Sequence, residues 1–197
     1  FQIMMRMGGR IVGGAQNGLA CSDWPVLYLD WERAQEDMDC RLKLLKAGHP
    51  EFAAVRIAYK RPVAPLMDCL DEIRAALLAT EARIVILDSL ALAAGGELER
   101  AETAIRFNQA LRQLGVPSLI VGHTAKNAEE KTIYGSVFFY NLARSVFEIK
   151  KTQEPDSGIF TFGLYHRKCN LGRRKAPLGF QMAIGDGKCC VTTADLS

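Results

Sequence analysis

The sequence has no apolar run approaching the roughly 20 residues of a membrane-spanning helix. Asp, Arg or Lys interrupts each long hydrophobic stretch, so no membrane partner is expected. Histidine is scarce, with 3 residues, and the 6 cysteines (Cys21, Cys40, Cys69, Cys169, Cys189, Cys190) contain no Cys-x-x-Cys. That spacing argues against a zinc centre and suits free thiols in a reducing compartment, so a cytoplasmic location is expected. Internal repeats and low-complexity linkers are absent, and the globular composition excludes fibrous and wholly disordered classes. An excess of one charge is also missing: Lys+Arg 25 against Asp+Glu 22 leaves +3, too little to name a polyanion partner by itself. There is no secretory signal pattern, and Phe1 in first place suits a fragment or a processed chain.

What the sequence does contain is a globular balance, 49% hydrophobic and 24% charged over 197 residues, enough for one domain of ordinary size. From residue 25 to 122, short apolar runs alternate with amphipathic segments. Pro25–Asp30, Ala53–Tyr59, Arg83–Asp88 and Ser118–His123 read as strands. Between them, Met38, Leu42 and Leu45 share one face of a helix over Ala34–Ala47 that Gly48 ends. Leu66, Cys69, Leu70, Ile73 and Leu77 mark a second helix. Ala101, Ile105, Leu111 and Leu114 mark a third, closed by Gly115 and Pro117. Strands apolar on both faces and alternating with helices imply a parallel sheet covered on both sides. After residue 133 the pattern changes to strands joined by short connections: Ser145–Ile149, Gly158–Tyr165, Leu178–Ile184 and Cys189–Thr193. Asp156-Ser157-Gly158 and Gly185-Asp186-Gly187 serve as hairpin turns, and this third of the chain is expected to extend the same sheet antiparallel.

Three of the parallel strands end in polar groups, at the edge where such sheets bind ligands. Ile84–Ser89 has the form of a Walker B strand, whose carboxylate at Asp88 can hold Mg²⁺ directly or through water. An Asp that merely caps the next helix fits that pattern equally well. Leu27–Glu32 brings a second acidic tip. Glu32 can polarise an attacking water, or can simply open the acidic run Glu32–Asp39 at a helix start, where the dipole favours it. Val121–Lys126 brings His123. A lone histidine is usually structural, but this one follows four apolar residues at the ligand edge.

The order LYLDWE (27–32), VILDSL (85–90), VGHTAK (121–126), Gly135-Ser136-Val137 and Asn141-Leu142-Ala143-Arg144 resembles the RecA-like ATPases. Within them it is most similar to the hexameric replicative helicases of the RepA and DnaB type and the related phage and plasmid AAA proteins, over residues 24–185. The resemblance implies an α/β fold: a RecA-like three-layer sandwich with a mostly parallel central sheet and an antiparallel C-terminal extension. It implies ATP and Mg²⁺ as cofactors, single-stranded DNA as partner and a homo-oligomeric ring, such as a hexamer. It makes Glu32 the water-activating glutamate, Asp88 the Walker B aspartate and Mg²⁺ ligand, and His123 the polar sensor. Asp30 and Ser89 then lie beside the nucleotide. Residues 127–133 match a DNA-facing loop, where Lys126, Lys131 and the nearby Arg144 would contact phosphates, although a solvated loop fits equally. His166–Gly172 resembles the family's Lys/Arg-x-Asn-x-Gly turn, making Lys168 first and Arg167 second choice for a cation that reaches the neighbouring subunit's nucleotide. The alternative there is a basic hairpin on a solvated face.

The family's phosphate-binding GxxxxGK[ST] occurs nowhere in these 197 residues. Residues 8–18 are glycine-rich but contain no Lys. Gly8, Gly9, Gly13 and Gly14 suit a loose anion nest at most. Ile11-Val12-Gly13-Gly14 has the form of a trypsin-like mature start, but no Gly-Asp-Ser-Gly follows. The expected organisation is an atypical segment over residues 1–23 and a RecA-like core with C-terminal hairpins over 24–197. Truncation, an altered reading frame before Trp24 and a degenerate ATPase all account for the departure. Two functions follow: an ATPase coupling hydrolysis to single-stranded DNA binding or translocation in replication, or a hydrolysis-deficient regulatory or assembly module. A third reading, a non-nucleotide α/β enzyme using Asp30, Asp88 and His123, lacks a nucleophile.

Overall fold

Four apolar runs become strands: β1 (Val26–Asp30), β2 (Ile57–Lys60), β3 (Ile84–Asp88) and β4 (Ser118–Val121). They were located in a computed structural model that describes residues 25–53, 57–124, 133–153, 157–170 and 172–196. All pairings are parallel, in the order β2-β1-β3-β4. Parallel neighbours need long crossovers rather than tight turns. The crossovers contain a 3₁₀ turn (Leu66–Cys69) leading into a helix over Leu70–Thr80, a short helix over Leu90–Ala94 and a longer one over Ala101–Leu114. In chain order the helices are α1 (Gln35–Gly48), α2 (Leu70–Thr80), α3 (Leu90–Ala94), α4 (Ala101–Leu114) and α5 (Val137–Leu142).

The strands are apolar throughout because both faces are covered. Leu27, Leu29, Val85 and Leu87 point into one core with Ile73 and Leu77 of α2, Phe107 and Leu111 of α4, and Phe139 of α5. On the opposite face Val26, Tyr28 and Ile86 are buried as well. In α4 the buried stripe is Ala104, Phe107, Ala110, Leu111 and Leu114, whereas Ile105, which the sequence spacing assigns to the core, is 40% exposed. The small side chains of Ala104 and Ala110 are the ones turned inward, and the helical rotation then carries Ile105 outward. Gly115 ends α4 as expected, in the left-handed region (φ 71°), with its N–H on the Arg112 carbonyl.

The chain divides into two compact units, one comprising residues up to 37 with 55–142, the other residues 38–54 with 143–197. The second contains β5 (Ser145–Gln153), β6 (Ile159–Cys169), β7 (Leu178–Gly185) and β8 (Lys188–Ala194), all antiparallel. The antiparallel character agrees with the sequence pattern. The expectation that these strands lengthen the parallel sheet does not hold among the described residues: they form a sheet of their own, ordered β5-β6-β7-β8. Short connections let each strand close its ladder with its sequence neighbour. The β7–β8 turn carries Asp186 and Gly187 at φ 49° and 70°, the twist-matched geometry of a two-residue hairpin.

In this unit the end of α1 is locked against β8. The His49 Nε2 accepts the Val191 N–H at 2.7 Å, so its proton sits on Nδ1, which lies 3.0 Å from Glu51 Oε1. A Cβ at Gly48 would stand 2.1 Å from the Cys189 carbonyl oxygen, a backbone atom that cannot step aside. Gly48→Ala should therefore destabilise the chain by about 1–3 kcal/mol through overpacking, read as a lower urea midpoint. A midpoint equal to wild type would show that β8 yields.

Candidate functional site

The strand order decides where a site can form. The chain leaves β1 toward β2 on one side, and β3 and β4 follow on the other, so connections diverge at the β1/β3 seam. At such a point the two loops separate and open a crevice beyond the carboxyl ends of the strands. Asp30 and Asp88 are the terminal residues of β1 and β3 and are in register with each other. Glu32 follows β1 by two residues, Ser89 follows Asp88 through a cis peptide bond, and His123 follows β4 by two residues.

Each of these side chains has a defined partner. Asp30 is buried, and its Oδ1 accepts the backbone N–H of both Glu32 and Arg33 at 2.9 Å. It thereby fixes the turn that aims Glu32. Two further bonds hold this loop: Trp31 Nε1 donates to the Ala64 carbonyl at 2.8 Å, and Tyr59 Oη donates to the Arg33 carbonyl at 2.8 Å. Ser89 Oγ donates to Glu32 Oε1 at 2.5 Å, and His123 Nε2 lies 3.4 Å from the same oxygen. These partners hold the Glu32 carboxyl below the ordinary range; the Ser89 hydroxyl contributes most, partly offset by desolvation, with further help from the imidazole of His123. Glu32 is therefore ionised at neutral pH, and its second oxygen has no partner among the described residues. His123 is mostly exposed.

Asp88 has the opposite bias. Burial pushes its carboxyl up, Tyr28 Oη opposes this by donating to Oδ2 at 2.7 Å, and the carboxylates of Asp30 and Glu32 push it further up. The remaining Asp88 oxygen has no partner among the described residues. Tyr28 is the site residue that the sequence reading missed. Its signal was present: a phenol in a strand whose neighbours are aliphatic, lying fully buried and stacked beside Tyr59 with ring centroids 6.2 Å apart. A buried phenol needs an acceptor, and its register partner on β3, Ile86, lies two residues before Asp88.

Among the described residues no cluster of three or more His, Cys, Asp or Glu is placed to enclose a metal ion. Two adjacent carboxylates, one desolvated and with a free oxygen, nevertheless fit Mg²⁺. That ion keeps much of its water and takes one or two carboxylates together with phosphate oxygens.

Lys126 and Lys131, with the glycines of residues 8–18, lie outside the described residues. Lys168, Arg167 and Arg144 belong to the second unit. There Lys168 Nζ donates to the Ala143 carbonyl at 2.8 Å. Arg167 pairs with Glu148, Nε to Oε2 at 2.7 Å, and stacks on Tyr165. Arg144 is exposed, and its carbonyl accepts the Asn170 N–H at 2.9 Å.

A parallel sheet with acidic, hydroxyl and imidazole tips gathered at its switch point is the arrangement expected of a RecA-like ATPase-family domain. Consistent with this, residues 8–129 match the AAA domain family, and the chain belongs to it. Among solved structures, a KaiC-like protein from the hyperthermophilic archaeon Pyrococcus horikoshii OT3 superposes with a TM-score of 0.58 at 17% identity, covering 86% of this chain and 76% of that one. Among curated proteins none matches. No helix among the described residues is long and apolar enough to cross a membrane.

Because the Asp88 carboxyl is pushed up, the folded chain holds that proton more tightly than the unfolded chain. The ionised form then costs stability at neutral pH, and the cost fades as the pH falls through the ordinary carboxylate range. Asp88→Asn keeps an acceptor for Tyr28 and removes the charge. It should raise Tm by roughly 2–4 °C at pH 7, with the gain shrinking toward about pH 4. A gain that grows on acidification would contradict this account of Asp88.

Proposed function

We propose that this domain couples ATP hydrolysis to the binding or translocation of single-stranded DNA, as a replication-type helicase domain working in a homo-oligomeric ring such as a hexamer. The observation that carries the proposal is the convergence of Glu32, Ser89 and His123 within hydrogen-bonding reach, beside Asp88, at the ends of three adjacent parallel strands. When bound, ATP would supply the phosphoryl group for transfer to water, and Mg²⁺, which Asp88 would hold, would offset the negative charge of its phosphates.

The protein side of the chemistry follows from the bonds described. Glu32 keeps one oxygen tied to Ser89 and His123, which leaves the other to accept a proton from water and orient it. Since its pKa is lowered, it acts by positioning rather than by strong basicity. Asp88 presents its free oxygen to the cation or to a water on it, while Tyr28 holds the other oxygen still. His123, exposed and touching Glu32, is placed to report an occupied site to the loop that follows, where Lys126 and Lys131 would meet DNA. Lys168, and after it Arg167, would serve a neighbouring subunit by stabilising charge on the transferred group. Both would first have to exchange the carbonyl or carboxylate that each now contacts.

One observation favours a second reading, a hydrolysis-deficient regulatory or assembly module: no GxxxxGK[ST] is present in these residues. A titration with Mg-ATP separates the two. Micromolar affinity supports the enzyme, and absence of binding supports the module.

Two variants test the residue roles in a hydrolysing preparation. Glu32→Gln should reduce turnover by about 100-fold or more while nucleotide affinity is kept; unchanged turnover would remove Glu32 from the mechanism. Ser89→Ala removes the strongest bond to the Glu32 carboxylate, so the acid limb of the kcat profile should move to higher pH. A limb that stays in place would dissociate Ser89 from the reaction.

A further inference from the structure

The second unit contains a feature that the nucleotide site does not use. Phe147 on β5 and His166 on β6 are register partners whose rings stack at 4.2 Å with 10° between planes. The imidazole plane is fixed at both nitrogens. Nδ1 accepts the Lys175 N–H at 3.0 Å, so the ring proton is on Nε2, 2.8 Å from Ser145 Oγ. That tautomer makes His166 a donor to Ser145 and rules it out as a base for that hydroxyl. What remains is a rigid backing for Phe147, which is 36% exposed although it is a large apolar ring.

The surroundings of this platform are cationic. The N–H of Lys175 bound to His166 sets the exposed run Arg173-Arg174-Lys175 against the stack. The Asn170 N–H on the Arg144 carbonyl ties the other end of that loop to the start of β5. The Arg144, Arg173 and Arg174 side chains have no ion pair or hydrogen bond among the described residues. Residues 157–185 include no Asp or Glu at all. Arg167 and Lys168, by contrast, already have partners in the same unit.

From this juxtaposition we infer a binding site for single-stranded DNA on the β5–β6 end of the second unit, with an unpaired base stacked on Phe147 and phosphates held by Arg144, Arg173 and Arg174. An aromatic face takes any base, and unpaired cations around it follow the backbone; this combination is how sequence-tolerant single-strand sites are built. A duplex keeps its bases stacked on each other and offers Phe147 no free face. The inference rests on the same partner as the proposed function and shares Arg144 with the DNA contacts expected from the sequence, but it adds Phe147, Arg173 and Arg174 and requires neither ATP nor its hydrolysis.

Fluorescence anisotropy of a labelled oligo(dT) strand of about 20 nucleotides, without nucleotide, tests it. Phe147→Leu keeps an apolar residue in β5 and should weaken binding roughly 5- to 10-fold, with Phe147→Tyr restoring it. The Arg173→Ala/Arg174→Ala pair should weaken binding further and lower the salt dependence by about 1.4 in the log–log slope. Circular dichroism melting checks that each variant is folded, and a Lys126→Ala/Lys131→Ala variant reports on the separate loop. Undiminished affinity in folded Phe147→Leu, tighter binding of duplex than of single strand, or a preference for oligo(U) would each overturn the assignment. Loss of ATP turnover in these preparations with oligo(dT) binding intact would count against the proposed function and leave this site standing.

Discussion

The in-register parallel pairing of β1 with β3 is the constraint on which the rest of the first unit depends. It sets Asp30 beside Asp88 and Tyr28 beside Ile86, so that the phenol reaches the carboxylate whose pKa burial pushes up. Two carboxylates at adjacent strand ends repel each other in a poorly solvated setting. The fold tolerates them because each is given donors: two backbone N–H groups for Asp30 and one hydroxyl for Asp88. A slip of β1 by one residue against β3 would turn Asp30 to the opposite face, toward the core that Leu29 now fills, and would take Tyr28 away from Asp88.

From that seam the opposite pKa shifts of Glu32 and Asp88 follow. Glu32 gains a hydroxyl and an imidazole and is held ionised, whereas Asp88 is desolvated and faces two like charges. Pairs of carboxyls driven apart in this way are the usual mark of a division of labour. Here it would be between a group that orients water and a group that waits for a cation. Asp30 is best understood as the residue that shapes the turn carrying Glu32, since its oxygen is already committed to the backbone.

The two units differ in how their strands are joined, and this governs where each presents chemistry. Parallel strands gather all their carboxyl ends on one edge, so short polar tips converge there. The antiparallel sheet has no such edge. Its chemistry sits in cross-strand pairs, Phe147 with His166 and Glu148 with Tyr165, and in the loop that follows β6. Under the proposed function, the first arrangement would serve a polyphosphate and the second an extended single strand.

Much of this was legible in the residues alone. Apolar runs ending in Asp30, Asp88 and His123, separated by helical spacing, are sufficient for a parallel α/β sheet, because period and strand-end chemistry are local properties. The Asp186-Gly187 hairpin was legible for the same reason: turn residues encode their own backbone geometry. Three-dimensional neighbourhood was not. Nothing in the local pattern says that Ile105 turns outward on α4, that the antiparallel strands form a sheet of their own among the described residues, or that Tyr28 is the donor to Asp88. Those are decided by which faces meet when elements far apart in sequence pack together, and that is a property of the folded chain as a whole.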